Sequence, residues 1–229
     1  MKKIISMIPA RGGSTEIPLK NLVAINKKPM LHYTVNASLG SKFISRTFVT
    51  TDNKKIANTA RKLGAEVINR PKKLSGNKIG IEPAMEHVLR FLKNKENYVP
   101  DIIILLQNTS PLRNSKHIDE AIQTFNKKKI DSLLSAYRSH YFFWTLENNK
   151  LRPKNYNPLN RPNRQQVKRE FIENGAIYIT KLSAFKKTKC RVSGKIGVYE
   201  MPVENSYEVD TRNDLFIIEQ MIKNRSIQI

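Results

Sequence analysis

The sequence predicts an α/β protein, a mainly parallel sheet with helices on both faces. Three observations carry that expectation. Short apolar runs alternate with segments of helical period along most of the chain, and each helical segment shows one core-facing apolar stripe. The longest purely aliphatic run, Ile102-Ile103-Ile104-Leu105-Leu106, suits a buried strand and is far too short to span a bilayer.

In order, strands are expected over residues 4–8, 48–50, 67–68, 102–106 and 132–136, and again over 171–180 and 197–201. Between them, Ile56, Ala57, Ala60 and Leu63 mark a helix that Gly64 terminates. Met85, Val88, Leu89 and Leu92 mark another behind Pro83, and Ile118, Ile122 and Phe125 a third behind Ser115 as its N-cap. A last helix follows Val209, with Leu215, Ile218 and Ile222 on one face and a capping box formed by Thr211 and Asp214 at its start. The segment 137–168 keeps neither period. It is rich in Pro, Asn and Arg and displays Tyr141, Phe142, Phe143 and Trp144, so it reads as an excursion from the sheet whose aromatics suit an interface. One domain over residues 1–229 is expected.

With 229 residues, 39% hydrophobic and 26% charged, the chain can bury a substantial core, which argues against disorder. Lys2-Lys3 lead directly into a strand without a signal-peptide pattern, so the expected compartment is cytoplasmic, with no membrane partner. The single cysteine, Cys190, cannot form an internal disulfide and is assigned no role. The 41 Lys+Arg against 19 Asp+Glu, formally +22, would suit a nucleic-acid binder. Their distribution argues otherwise: clusters such as Lys54-Lys55, Lys72-Lys73 and Lys127-Lys128-Lys129 are spread along the chain, with no base-stacking or helix-turn-helix motif. An anionic substrate is expected, and no nucleic acid.

Three clusters could carry chemistry. The first strand runs straight into Arg11-Gly12-Gly13-Ser14, and Arg11 and Lys20 bracket the turn; paired glycines let backbone amides face one anion while the cations add the charge a polyphosphate needs. An ordinary turn with solvated cations is the competing reading. Neither G-x-G-x-x-G nor G-x-x-x-x-G-K-[ST] is present, which argues against a dinucleotide oxidoreductase and a P-loop NTPase. Gln107-Asn108-Thr109-Ser110-Pro111-Leu112-Arg113 follows a buried-looking strand, where open α/β sheets bind ligands; its polar groups could read a base or sugar, or simply form a turn. In the third cluster, an extended 207–210 would project Glu208 and Asp210 to one face, where two carboxylates could share Mg²⁺ or form a solvated strand end.

Together, Ile-Pro-Ala-Arg-Gly-Gly-Ser at 8–14, Pro18-Leu19-Lys20-Asn21, Leu106-Gln107 with Thr109-Ser110-Pro111-Leu112-Arg113, Glu173-Asn174-Gly175-Ala176-Ile177-Tyr178 and Val209-Asp210-Thr211 resemble the N-acylneuraminate cytidylyltransferases. The resemblance follows the family's order over essentially the whole chain. It implies a Rossmann-like nucleotidyltransferase fold whose small projecting segment, 137–168, exchanges contacts in a homodimer. The implied substrates are CTP and an acidic sugar of the nonulosonic class, joined with Mg²⁺ to give the CMP-sugar and pyrophosphate. Ala10, Arg11, Gly12, Gly13, Ser14, Lys20 and Asn21 would hold the nucleotide, with Arg70, Thr109 and Ser110. Gln107, Arg164, Gln165 and Tyr178 would meet the acceptor; Asp210 would bind metal, with Glu208 where the family usually has Asp. Arg11, Lys20 and Asp210 would be the catalytic set. Legionaminic, pseudaminic or 3-deoxy-octulosonic acid stay open as alternative acceptors, and an impaired nucleotide-binding homologue as an alternative function. Two departures stand out: Thr15-Glu16 where many members have Lys-Gly, and Asn108 where the usual residue is Pro.

Overall fold

The computed structural model describes residues 2–167 and 170–224. In chain order it contains β1 (Ile4–Pro9), the short pair β2 (Ala24–Ile25) and β3 (Lys28–Pro29), α1 (Met30–Leu39), β4 (Arg46–Thr51), α2 (Lys54–Lys62), β5 (Glu66–Asn69) and α3 (Glu82–Glu96). There follow β6 (Ile102–Leu105), α4 (Ser115–Lys128), β7 (Ser132–Ser139), β8 (Trp144–Glu147), β9 (Lys150–Pro153), β10 (Glu170–Lys181), α5 (Leu182–Thr188), β11 (Ile196–Glu200) and α6 (Arg212–Lys223).

Seven strands form one sheet in the order β11-β7-β10-β6-β1-β4-β5. β1 runs parallel to β4 and β6, β4 to β5, and β11 to β7; β10 alone is reversed, antiparallel to both β6 and β7. Alternation along the strands sorts the core into two layers. Ile4, Ile8, Ile102 and Ile104 pack with Leu31 and Val35 of α1, Ile56 of α2 and Ile118 and Phe125 of α4. Ile5, Met7, Ile103 and Leu105 face the other way, against Met85, Val88 and Leu92 of α3 and Phe185 of α5. Both faces are therefore covered by helices, and the carboxyl ends of β1, β4, β5 and β6 open at one rim.

The expected elements appear, most with longer bounds, although β6 stops one residue short at Leu105 and β11 is shifted one residue back to Ile196–Glu200; Thr211 with Asp214 forms the capping box expected at α6. Four further details differ. The N-cap of α4 is Asn114, whose side chain accepts from the His117 amide while the His117 ring accepts from the Asn114 amide; Ser115 is the first helical residue. Helix α1 shows no clear stripe because Met30, Leu31, Tyr33, Thr34, Val35, Ala37 and Ser38 are all buried, which erases the periodic signal. β7 continues through Ser139, so residues 137–139 belong to the sheet and not to the excursion; residue 168 lies outside the described residues. The excursion also contains a hairpin, β8–β9, turned by Asn148 and Asn149, both with positive φ (50° and 59°), a two-residue turn that asparagine tolerates well.

Around the hairpin, Asn155 links the two arms, accepting from the Phe143 amide at 2.9 Å and donating to the Tyr141 carbonyl at 2.9 Å. Phe142 and Trp144 pack on Tyr156, and the Arg161 guanidinium lies over Phe142 at 4.3 Å. Leu146, Leu151 and Leu159 remain exposed, Leu159 at 96%. Among the described residues, no helix is long and apolar enough to cross a membrane.

Candidate active site

A cleft of about 620 Å³ lies at the rim where β1, β5 and β6 end; Arg11, Lys20, Arg70, Gln107, Arg191 and Asp210 line it, with the loop 74–82 forming one wall. Its floor begins with the segment after β1. Ala10 is fully buried and donates its amide to Thr50, continuing the β1–β4 ladder by one residue. Gly12 donates its amide to the Asp52 carboxylate at 2.9 Å, and a Cβ there would meet the Asn53 side chain at 2.9 Å, so the loop approaches β4's end as only glycine can. Gly13 has open space around it. The paired glycines thus serve different ends: one fits the loop to Asp52 and Asn53, the other faces solvent.

Asn21 fixes the far side of the same loop. Its amide donates to the Arg11 carbonyl (2.9 Å), and its carbonyl oxygen accepts from Asn108 (2.9 Å), which also reaches the Pro9 carbonyl (3.4 Å). Asn108, the residue standing where proline is usual, therefore ties the β6 loop to the β1 loop. Leu19, in the left-handed region (φ 51°), opens the turn that aims Lys20 at the Val209 carbonyl (2.8 Å) and Asp210 Oδ1 (3.2 Å).

Two guanidiniums stand on the opposite wall. Arg11 donates to the Gly76 carbonyl at 3.1 Å. Arg70 is buried, and its Nε and Nη2 have no hydrogen-bond partner within the protein. Burial, and to a lesser extent Arg11, push its pKa down, while Asp52 pulls it up. Buried donors without partners carry a desolvation penalty of about 1–3 kcal/mol, more when charged, which an anionic ligand would relieve.

Of the acidic pair, Asp210 lines the cleft, whereas Glu208 is not among its lining residues and lies beside Thr109 and Gly175. Asp210 is exposed; Glu208 is half-buried, and its pKa is raised to about 7 by burial first and by the Asp210 charge second, against a hydrogen bond from Thr109. Beside them β10 bulges between Glu173 and Tyr178, and Gly175 there has φ +64°. A Cβ at 175 would overlap Oε1 of both Glu208 and Gln107, so two oxygens converge over a glycine that leaves them room.

Other expected residues play structural parts. Arg113 is fully buried, donating to the carbonyls of Ala176 (3.2 Å) and Gln107 (3.2 Å) and to the Thr34 hydroxyl (3.0 Å); it braces the loop after β6 and is not among the residues lining the cleft. The Ser110 hydroxyl is buried on the Asn174 carbonyl at 3.3 Å, whereas Thr109 lines the cleft. Tyr178 is 3% exposed, with its hydroxyl on Glu173 and its ring beneath the Arg191 guanidinium at 4.8 Å. Arg164 and Gln165 are exposed on the excursion and are not among the residues lining this cleft. Asp52, Asn53, Glu82 and Arg191 were not expected; Asp52-Asn53 had a signal, their place at the carboxyl end of a parallel strand, while Arg191 had none.

The profile of a family described as cytidylyltransferase matches residues 5–227. N-acylneuraminate cytidylyltransferase A of Danio rerio is 32% identical over 225 residues, covering 96% of this chain and 51% of that protein. The N-acylneuraminate cytidylyltransferase of Escherichia coli O18:K1:H7 is 32% identical over 234 residues, covering 97% of this chain and 53% of its own length. The chain thus spans about half the length of these relatives. In fold, it is similar to a CMP:2-keto-3-deoxy-manno-octonic acid synthetase solved with CTP (TM-score 0.71, 17% identity, 97% of this chain and 99% of that one). It is similar likewise to a 4-diphosphocytidyl-2C-methyl-D-erythritol synthase (TM-score 0.72, 10% identity, 97% and 99% covered). With nearly its whole length matched to one profile, and a mainly parallel α/β sheet shared with nucleotidyltransferases of known structure, the chain belongs to the cytidylyltransferase family.

Proposed function

We propose that this protein transfers the cytidylyl group of CTP to a sialic-acid-like nonulosonic acid, releasing pyrophosphate. The observation that carries this reading is Arg70, buried at the cleft beside Arg11 with two N–H groups unpartnered, in a chain whose relatives are N-acylneuraminate cytidylyltransferases. Such a guanidinium pair suits a polyphosphate. In the reaction, the acceptor's anomeric hydroxyl oxygen bonds to the α-phosphorus and loses its proton while the bond from that phosphorus to the bridging oxygen breaks, and the electron pair leaves with pyrophosphate. Positioning and charge neutralisation supply most of the acceleration. Arg11, Arg70 and Lys20 take the phosphate charge, with Ser14 and Asn21 shaping the loop that holds them. Gln107 faces the acceptor from the end of β6.

The acidic pair fits a divalent cation. Glu208 and Asp210 offer hard oxygen ligands, and the rise of Glu208 to about 7, caused by burial first and the Asp210 charge second, is one that a bound cation would oppose. Asp210 and Glu208 would hold Mg²⁺, which when bound would supply neutralisation of the charge developing on the phosphates and acidify a nearby hydroxyl. We also assign the excursion, with its exposed Leu146, Leu151 and Leu159, to a homodimer contact, which would place Arg164 and Gln165 near a neighbouring subunit's site. The test is pyrophosphate release with Mg²⁺ and CTP, ATP, GTP or UTP across a panel of nonulosonic acids. CTP alone should support turnover. Equal thermal stabilisation by all four nucleotides, with no turnover, would refute the assignment.

A further inference from the structure

Arg191 stands in the loop after α5 and lines the cleft with a side chain only 29% exposed. Its Nη1 meets Glu82 Oε1, at the start of α3, at 2.5 Å, and its plane lies over the Tyr178 ring. Its Nε is buried without a hydrogen-bond partner. A second ion pair, Lys189 with Glu86 at 2.5 Å, repeats the link one turn further along α3, so the loop is held to the helix by two rungs. The guanidinium is thus preorganised at a polar wall, with one donor still to be satisfied.

Topology says which part of a ligand this wall meets. Arg70 follows β5, at one edge of the sheet, whereas Tyr178 lies on β10, four strand spacings away in the order β10-β6-β1-β4-β5, about 19 Å. Arg11 and Lys20 flank the loop after β1, between them. With the phosphates at Arg11 and Arg70, Arg191 stands on the β10 side of the cleft, beside Tyr178 and on the same lining as Gln107, the residues assigned to the acceptor. The charge there narrows the chemistry: Arg191 is paired with the Glu82 carboxylate and lies over the Tyr178 ring, so its charge is already balanced within the protein. An anionic group would find that charge already paired with Glu82, and an aliphatic one would leave the donor unpaired.

On the basis of the cytidylyltransferase reading, the geometry points to Arg191, held by Glu82, as the specificity-determining residue for the acceptor, selecting sugar acids that place a neutral hydrogen-bond acceptor, a hydroxyl or an amide carbonyl, against its guanidinium. Sites that hydrogen-bond a substituent discriminate far more strongly than apolar pockets do. The experiment compares two nonulosonic acids that differ only in whether one substituent ends in a hydroxyl or a methyl group, assayed by pyrophosphate release with the wild type, Arg191→Met and Arg191→Lys. Wild type should favour the hydroxyl-bearing acid by at least about tenfold in kcat/KM. Arg191→Met, which keeps a stem over Tyr178, should bring the ratio near one by raising that acid's KM while the KM for CTP holds; Arg191→Lys, which keeps the charge but loses the fork, should fall between. A wild type indifferent to the substituent, a ratio unchanged in both variants, or a CTP KM that rises with the acceptor's would overturn this assignment alone. No turnover with any acid would overturn it together with the proposed function.

Discussion

Thr15 and Glu16 stand in the loop that we propose meets phosphate, where the family resemblance leads one to expect Lys and Gly, and replacing them with that pair shifts the loop by two charge units. Both residues are exposed and line the cleft. Exposure sets the scale: one unit charge about 4 Å from another is worth about 1 kcal/mol in water and roughly 4 kcal/mol at an effective dielectric of 20, with screening over about 8 Å at physiological salt. Near the aqueous limit, the two changes give roughly 2 kcal/mol. Interactions that tighten only as charge moves onto the leaving pyrophosphate accelerate the reaction, so at least about tenfold in kcat/KM for CTP, or roughly 1.4 kcal/mol, is the expected gain. The assay is initial-rate pyrophosphate release at two salt concentrations, with the gain shrinking as salt rises. A double variant that is no faster and binds CTP no tighter would mean that the loop does not meet phosphate.

Four further outcomes are expected. Asp210→Asn should lower turnover by orders of magnitude with little change in melting temperature, since Asp210 is exposed and its ion pair with Lys20 adds little stability; Glu208→Gln should do less damage, and near-normal turnover of Asp210→Asn in Mg²⁺ would remove it from the site. Gly175→Ala should cost about 1–3 kcal/mol in denaturant unfolding, because φ +64° and the two oxygens both oppose a Cβ. Light scattering at micromolar concentration should give a dimer that Leu159→Asp or Trp144→Asp weakens; a wild-type monomer would refute the excursion's role. The Asp214 carboxyl is held below its ordinary pKa by the Thr211 amide first, so its stabilisation is fully present above about pH 4 and lost as pH falls through its folded pKa. Asp214→Ala should therefore lower stability by about 1 kcal/mol at pH 7, and a deficit that persists undiminished at pH 2 would show that the cap's charge is irrelevant.

How legible the molecule was depended on whether a residue's role is local. The strands of the main sheet and four of the helices could be read from period, and the cap Thr211–Asp214 from spacing, because each is decided within a few residues. Helix α1 could not, since burial on all sides leaves no periodic stripe. The cleft's motifs were visible as clusters, but the sequence could not say which members face a ligand: Arg113, Ser110 and Tyr178 turn inward because tertiary neighbours, Ala176, Asn174 and Glu173, accept their hydrogen bonds. Glu82 and Arg191, separated by 109 positions, meet only through the packing of α3 and α5 on one face of the sheet.

The reversed strand has a consequence for how the protein acquires activity. β10 slots between β6 and β7, zipping up two ladders at once, and its bulge supplies Gly175 while its far end carries Tyr178. The strands β1, β4 and β5 pair through local crossovers and can associate earlier, with the loop after β1 already on board; β6 pairs with β1 across about 98 residues and β10 with β6 across about 75, the kind of contact that forms late. Refolding should then restore CTP-induced stabilisation before acceptor turnover. The protein would learn to hold its nucleotide before it can use it.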